Sequence, residues 1–191
     1  MSHGPPARRV LLLGGARSGK SAAAEAMART AADGGAVTYV ATADTRPDDD
    51  EWVARVTAHR ERRPDNWRTV ETVDPAPHLQ EGGVVLVDCM ALWLTRAMDD
   101  VDAWDDAAWA NGGPEKLAER VNALVTAWSK ASGVVIGVSN EVGMGVVPAT
   151  PAGRRFRDEL GRLNVRLAAA ADEVYLVVAG RLLALAPPGE S

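Results

Sequence analysis

Residues Gly14–Ser21 read GGARSGKS, and this stretch decides the fold. It fits G-x-x-x-x-G-K-[ST], with Gly14, Gly19, Lys20 and Ser21 in the fixed places. Before it, Val10-Leu11-Leu12-Leu13 is a short apolar run that suits a buried strand. After it, SAAAEAMARTAA suits a helix, because alanine costs least to place in one. Strand, glycine loop and helix together turn the string into a phosphate site; the bland alternative is a plain glycine turn followed by a chance Lys-Ser. The glycines let successive N–H groups point inward at an anion, and the helix N-terminus adds its dipole. Lys20 brings a mobile cation to the β/γ-phosphates, and the Ser21 hydroxyl can ligate Mg²⁺. The expected nucleotide-binding segment is therefore Gly14, Gly15, Ala16, Arg17, Ser18, Gly19, Lys20 and Ser21.

The chain has 191 residues, enough for one domain with a sizeable core. A hydrophobic content of 47% with 25% charged residues is that of a soluble globular protein. The net charge of −5, with a sequence pI of about 5.2, argues against an extended nucleic-acid footprint, which needs a basic face. Cys89 stands alone, which excludes an internal disulfide and fits a reducing compartment. MSHGPPARR lacks the apolar core of a signal peptide, so the expected location is the cytoplasm. No apolar run is long enough to span a membrane. The expected organisation is a flexible tail over 1–9, one domain over 10–186 and a short tail over 187–191.

Downstream, Asp33-Gly34-Gly35 is a helix stop, and Ala36–Ala41 reads as a second buried strand. It ends in Thr42-Ala43-Asp44, at the edge where doubly wound sheets bind ligands. Thr42 is either a nucleotide contact or a turn threonine. Thr45–Asp50 is a polar loop, and Glu51–Arg62 reads as a helix closed by Pro64. His59 falls near its end among Arg60, Arg62 and Arg63. Those arginines are either a solvated charge run or a clamp for phosphate oxygens. Nearby cations favour the neutral imidazole, which can act as a nucleophile; a surface histidine is the commoner outcome.

Trp67–Glu71 is read as a short extended segment, and Pro75–Gln80 as a turn or short helix with His78 at the surface. Val84–Asp88 is an apolar run ending in an acid, the Walker B pattern, so Asp88 is a candidate for holding Mg²⁺. Cys89 reads as a packed core residue. A helix is expected over Met90–Met98. Asp99–Gly113 reads as a loop-like surface insertion with room for a helical turn. Its Trp104 and Trp109 either pack against a planar ligand or a neighbouring subunit or, the favoured reading, anchor the insertion to the body. Pro114–Ala131 reads as an amphipathic helix. Gly133–Ser139 is another buried strand, running into the glycine-spaced loop Asn140–Pro148. Asn140 and Glu141 are candidates to orient a substrate hydroxyl or touch the metal. Pro151–Ala171 is a long helix carrying Arg154, Arg155, Arg157 and Arg162, some of which should pair with Asp158 and Glu159. Glu173–Val178 and Arg181–Leu185 form a terminal hairpin. Alternating strands and helices imply a three-layer α/β P-loop NTPase fold of the RecA-like kind, with a mainly parallel sheet and an antiparallel C-terminal edge.

The chain resembles the bifunctional adenosylcobinamide kinase / adenosylcobinamide-phosphate guanylyltransferase family. The resemblance is carried by GGARSGKS, by YVAT (Tyr39–Thr42), by ARVTAHRERRP with NWRTVE (Ala54–Glu71), by SNEVGMGVVP (Ser139–Pro148) and by Phe156–Gly180. It implies γ-phosphate transfer from ATP or GTP to the aminopropanol hydroxyl of adenosylcobinamide. It further implies transfer of GMP from GTP to that phosphate through a covalent histidine, which falls on His59. Guanine-nucleotide contacts carry over to Gly14–Ser21, to Ala41, Thr42 and Ala43, to Arg60, Glu61, Arg62 and Arg63, and to Glu71 and Asp88. Mg²⁺ is the implied cofactor and a homotrimer the implied assembly. The chain departs from the family in three places. Asp88 stands where a glutamate is usual, Ala58 replaces the first of two adjacent histidines, and the Thr45–Asp50 loop is longer.

Two other readings remain open on the residues alone. One is a P-loop small-molecule kinase with His59 a bystander. The other is a nucleotide-dependent switch acting on a macromolecule, which the acidic balance disfavours.

Overall fold

The computed structural model describes residues 7–42, 63–187 and 189. Its elements in chain order are β1 (Arg8–Gly14), α1 (Lys20–Ala32), β2 (Val37–Ala41), β3 (Arg68–Glu71), α2 (Ala76–Leu79), β4 (Val84–Asp88) and α3 (Met90–Asp99). They continue with α4 (Asp106–Ala110), α5 (Gly113–Ser129), β5 (Val134–Asn140), α6 (Pro151–Ala169), β6 (Glu173–Val178) and β7 (Arg181–Leu185). The seven strands form one sheet in the order β3-β2-β4-β5-β1-β6-β7. Every pairing is parallel except β6–β7. This is the expected α/β fold class, with the antiparallel edge at the C-terminal hairpin.

Near-continuous apolar runs form the central strands because both faces of the sheet are covered. Val10, Leu11, Leu12, Val85, Leu86, Val87, Val135 and Ile136 are all buried. The step from β1 to β2 crosses the sheet one way, and those from β4 to β5 and from β5 to β6 cross it the other way. Right-handed crossovers then put α1 on one face and α3, α5 and α6 on the other. On that second face, a Cβ on Gly137 of β5 would lie 3.0 Å from the Trp128 ring and 3.1 Å from Met90 Cε. Here the helices press directly on the backbone of the strand. Ser139 Oγ donates to Asn164 Oδ1 at 2.6 Å, and Asn164 Nδ2 donates to the Asn140 carbonyl at 3.0 Å, tying α6 to the end of β5.

The first strand is longer than its apolar run. It begins at Arg8 rather than Val10, so Arg8 and Arg9 belong to the domain and not to the tail. Charged partners at and just before the start of β6 account for this. Arg9 donates from Nε and Nη2 to the two oxygens of Asp172 at 3.0 and 2.9 Å. The Arg9 N–H donates to Asp172 Oδ2 at 2.7 Å, and the Asp172 N–H donates back to the Arg9 carbonyl at 2.8 Å. Arg8 Nε reaches Glu173 Oε1 at 2.7 Å.

Within Asp99–Gly113 the helical turn that the sequence allows is present. It is α4, whose N-cap Asp105 accepts from the Ala108 N–H at 2.8 Å, and Ala103 within the insertion is fully buried. The two tryptophans anchor it, as expected. Trp104 stacks obliquely on Phe156, with ring centroids 6.4 Å apart, and the Arg155 guanidinium lies 4.9 Å from the centre of the Trp109 ring. Arg155 also donates to Asp106 Oδ1 at 2.7 Å and to the Ala103 carbonyl. The expectation that α6 arginines pair on their own helix holds for Arg157 with Asp158 and for Arg162 with Glu159. Of the other two, Arg155 reaches across to α4, and Arg154 holds the carbonyls of Pro148 and Ala149. The register fixes which residues share the C-terminal edge of the sheet, where the site is built.

Candidate active site at the C-terminal edge of the sheet

Glycine chemistry shapes the loop between β1 and α1. Gly19 is the N-cap of α1 at φ 93°, and Arg17 is also left-handed at φ 56°. Gly14 has no room for a side chain: a Cβ there would lie 2.6 Å from Ser18 Oγ and 2.7 Å from the Val177 carbonyl. Gly15, by contrast, has open space around it. The Ser18 N–H donates to the Gly15 carbonyl at 3.3 Å, closing the loop on itself. Lys20 Nζ donates to the same carbonyl at 3.1 Å, so the ammonium lies across its own loop. Ser21 follows in the first turn of α1, beside the N–H groups that such a terminus leaves for an anion.

The C-terminal hairpin braces this loop, a role the sequence reading did not assign it. Ala179 and Gly180 turn the chain at φ 50° and 73°, the left-handed pair a two-residue hairpin of this kind needs. The Gly180 N–H then donates to the Ser18 carbonyl at 2.8 Å. A Cβ on Gly19 would meet Gly180 Cα at 3.1 Å.

Three further candidates lie in one register row. Ala41 of β2 pairs with Glu71 of β3 on one side and Asp88 of β4 on the other. Two strands away, Gly14 pairs with Asn140 of β5, and the Glu141 N–H donates to the Gly14 carbonyl at 3.0 Å. Glu141 Oε1 accepts from the Gly143 N–H at 2.6 Å, turning its carboxylate onto its own loop. That loop is fixed at its far end by Arg154, and by Thr150, which caps α6 at the Gly153 N–H. Between these anchors Met144, Val146 and Val147 are exposed, Val146 almost completely at 95%.

Asp88 accepts from Tyr39 Oη at 2.9 Å on Oδ2. Tyr39 is buried, and the Arg63 guanidinium stacks over it, 3.3 Å from the ring centre. Burial first, and then the charge of Asp88, push the Tyr39 phenol far above its ordinary value, so it stays a hydrogen-bond donor. Arg63 Nη1 also donates to Thr69 Oγ1 at 3.0 Å. Thr42 fills the turn role: its buried hydroxyl donates to the Cys89 carbonyl at 2.7 Å and accepts from the Cys89 N–H at 3.1 Å. Cys89 is a packed core thiol as expected, pushed up to about 11 by burial and then by Asp88. His78 sits at the surface against Glu81, at 2.7 Å.

The structure thus brings Gly14–Ser21, Ala41, Thr42, Arg63, Glu71, Asp88, Asn140 and Glu141 to one edge of the sheet. Ala43, His59, Arg60, Glu61 and Arg62, with the Thr45–Asp50 loop and the expected Glu51–Arg62 helix, lie outside the described residues. Tyr39 and Gly180 are the participants that sequence reading missed. Tyr39 looked like one more residue of a buried strand, and only the strand order places it against Asp88.

Comparison with known proteins bears directly on this site. The family model for cobinamide kinase / cobinamide phosphate guanyltransferase matches residues 10–185. The bifunctional adenosylcobalamin biosynthesis protein CobU of Escherichia coli (strain K12) is 40% identical over 182 residues, covering 90% of this chain and 96% of that protein. The CobU protein of Salmonella typhimurium (strain LT2) is 39% identical over 186 residues, with the same coverage of 90% and 96%. The corresponding protein CobP of Pseudomonas aeruginosa (strain PAO1) is 40% identical over 177 residues, covering 90% of this chain and 94% of that one. Among solved structures, the flagellar accessory protein FlaH from Methanocaldococcus jannaschii aligns with a TM-score of 0.44 at 13% identity, covering 94% of this chain and 76% of that one. With its match running from β1 to β7, the chain belongs to the cobinamide kinase / cobinamide phosphate guanyltransferase family.

Proposed function

We propose that this chain phosphorylates adenosylcobinamide with ATP or GTP, and then transfers GMP from GTP to the new phosphate through a covalent intermediate on His59. The observation that carries the reading is the junction of the glycine loop with the Asn140–Pro148 loop. The Glu141 N–H on the Gly14 carbonyl joins the family's distinctive loop directly to the phosphate-binding segment.

In the kinase step, the loop N–H groups and Lys20 hold the β/γ-phosphates while the substrate hydroxyl attacks in line at the γ-phosphorus. Glu141, or Asp88, orients that hydroxyl. In the transfer step, the His59 imidazole attacks the α-phosphorus of GTP. A phosphorus–nitrogen bond forms, the α–β phosphoanhydride bond breaks, and pyrophosphate leaves stabilised by the same loop. The cobinamide phosphate oxygen then attacks that phosphorus, the phosphorus–nitrogen bond breaks, and the imidazole is restored. Arg60, Glu61, Arg62, Arg63 and Glu71, with Ala41 and Ala43, supply the remaining nucleotide contacts, and the buried Thr42 supports the turn behind them. The covalent route splits one hard displacement between two anions into two steps, each with its own activated group.

Ser21 and Asp88 offer hard oxygen donors of the type magnesium takes. No group of three His, Cys, Asp or Glu side chains converges among the described residues. Phosphate and water ligands would therefore complete the shell, as is usual for Mg²⁺ at nucleotide sites. When bound, the ion neutralises charge on the phosphate oxygens. The acidic charge balance supports small-molecule partners over nucleic acid. No helix among the described residues is long and apolar enough to cross a membrane, and a biosynthetic role fits the cytoplasm. A trimeric assembly is proposed from the family resemblance; Leu182, Leu183 and Leu185 on the exposed β7 edge are apolar surface that subunit contacts could cover.

The test is labelling with GTP carrying the label on the α-phosphate, followed by denaturation, with wild type and His59→Ala side by side. The expected result is covalent label that is acid-labile, alkali-stable and absent from the variant. Intact γ-phosphate transfer with no covalent label in wild type would overturn the histidine route.

A further inference from the structure

Tyr39 touches both the acid of the sheet edge and the arginine that follows the His59 segment in sequence. A phenylalanine would fill the same volume and stack equally well under Arg63. The hydroxyl is therefore the feature to explain. A buried phenol needs an acceptor, and this one takes a single carboxylate oxygen of Asp88 at 2.9 Å. Asp88 ends β4, where its side chain is only half-buried and could turn. The hydrogen bond on Oδ2 sets the plane in which Oδ1 points.

The ring face has a second task. The Arg63 guanidinium sits 3.3 Å from the ring centre and is held at one nitrogen by Thr69 Oγ1. Its Nε is buried without a partner among the described residues. Guanidinium carries five N–H donors, and buried donors are normally satisfied, so this group is poised to receive an anion. The buried Glu25 on α1 also faces Tyr39 electrostatically, so the phenol is surrounded by Asp88, Arg63 and Glu25.

We propose that Tyr39 is a positioning residue shared by the two reactions: its hydroxyl fixes the Asp88 carboxylate toward the metal-bound phosphates, and its ring seats Arg63 against the nucleotide. The two roles sit on different atoms of one side chain and can be separated by substitution. The proposal rests on the reading of Asp88 as the metal-facing acid.

The experiment uses full-length wild type, Tyr39→Phe, Tyr39→Leu and Asp88→Asn. The probe is a fluorescent GTP analogue with a methylene bridge between the α- and β-phosphorus, titrated with and without Mg²⁺ so that binding is read without turnover. Thermal melts accompany each variant. Tyr39→Phe is expected to raise the Mg²⁺ concentration for half-maximal tight binding about tenfold, the low end of the worth of one hydrogen bond to a charged group. Its metal-free affinity should stay within about twofold, because the stack under Arg63 is kept. Tyr39→Leu should show the same metal shift and in addition lose about tenfold in metal-free affinity, because Arg63 loses its seat. A wild-type Mg²⁺ midpoint for Tyr39→Phe, with a shifted one for Asp88→Asn, overturns the Tyr39 role and leaves Asp88 as the metal-facing acid. An unshifted midpoint for Asp88→Asn overturns both. Equal metal-free affinities for Tyr39→Phe and Tyr39→Leu overturn the seating of Arg63.

Discussion

The hydroxyl of Thr42 holds Cys89 by both of its backbone groups, donating to the carbonyl at 2.7 Å and accepting from the N–H at 3.1 Å. The ends of β2 and β4 are thereby locked together one residue beyond the Ala41–Asp88 pair. Thr42→Val keeps the shape and strands the Cys89 N–H in a buried place, while the Cys89 carbonyl keeps the Trp93 N–H at 3.1 Å. The expected cost is about 1–3 kcal/mol, from the one orphaned donor. Thr42→Ser should retain most of the stability. Urea unfolding of the three proteins, followed by circular dichroism, checks this.

The contrast between Gly14 and Gly15 gives a second test. Gly14→Ala places a methyl against Ser18 Oγ and the Val177 carbonyl, whereas Gly15→Ala meets nothing within 4 Å. Gly14→Ala should displace the loop and weaken nucleotide binding by at least about tenfold, the scale of one lost charge-assisted contact. Gly15→Ala should bind within about threefold of wild type, since no contact is lost. Equilibrium titration with a fluorescent nucleotide separates them.

The Arg9–Asp172 pair predicts a pH dependence. Its hydrogen bonds with Arg9, foremost among the causes, hold the Asp172 carboxyl below its ordinary value of 3.8. Tyr175 first, and then Arg8, hold Glu173 below its ordinary 4.5. Groups with lowered values contribute stability that is present above the unfolded-state values and is lost as the pH falls through the folded ones. Asp172→Asn should therefore cost about 0.5–1 kcal/mol at pH 7, a small figure because the pair is partly solvent-screened. The difference from wild type should shrink steadily once the pH drops below about 4. Urea midpoints of both proteins from pH 7 to pH 3 measure it.

Arg155 holds α4 to α6 through the Ala103 carbonyl, the Asp106 carboxylate and the Trp109 ring. Arg155→Met keeps much of the aliphatic stem but orphans the carbonyl, at a cost of about 1–3 kcal/mol. The loss should be local. Hydrogen exchange of the α4 amides should quicken while that of β1 and β5 amides is unchanged.

The strands and the phosphate loop were legible in the sequence because their signals are local. Four-residue apolar runs before turn glycines, and an invariant spacing of glycine, lysine and serine, need no knowledge of the rest of the chain. Asp88 was legible for the same reason, as an acid ending such a run. What escaped was contact between segments far apart. Nothing near Gly180 says that its N–H closes the Ser18 carbonyl. Nothing near Tyr39 says that a strand carrying an acid lies beside it. The first strand was read short for a related reason. Arginine is a poor strand signal until Asp172 and Glu173 stand opposite. Asp99–Gly113 gives only a weak helix signal because its tryptophans pack on α6 rather than on the sheet.

The position of β1 has a consequence for how the protein is made. Both of its neighbours, β5 and β6, come from the last third of the chain. During synthesis, the first strand and its phosphate loop must wait beside the ribosome until nearly all of the protein has emerged. The helix α1 and the β2–β4 pair can gather earlier, but they enclose no pocket. A nascent chain stopped before Glu173 would lack both the partner strand and the hairpin turn that braces Ser18. Guanine nucleotides would find a binding site only on the finished molecule.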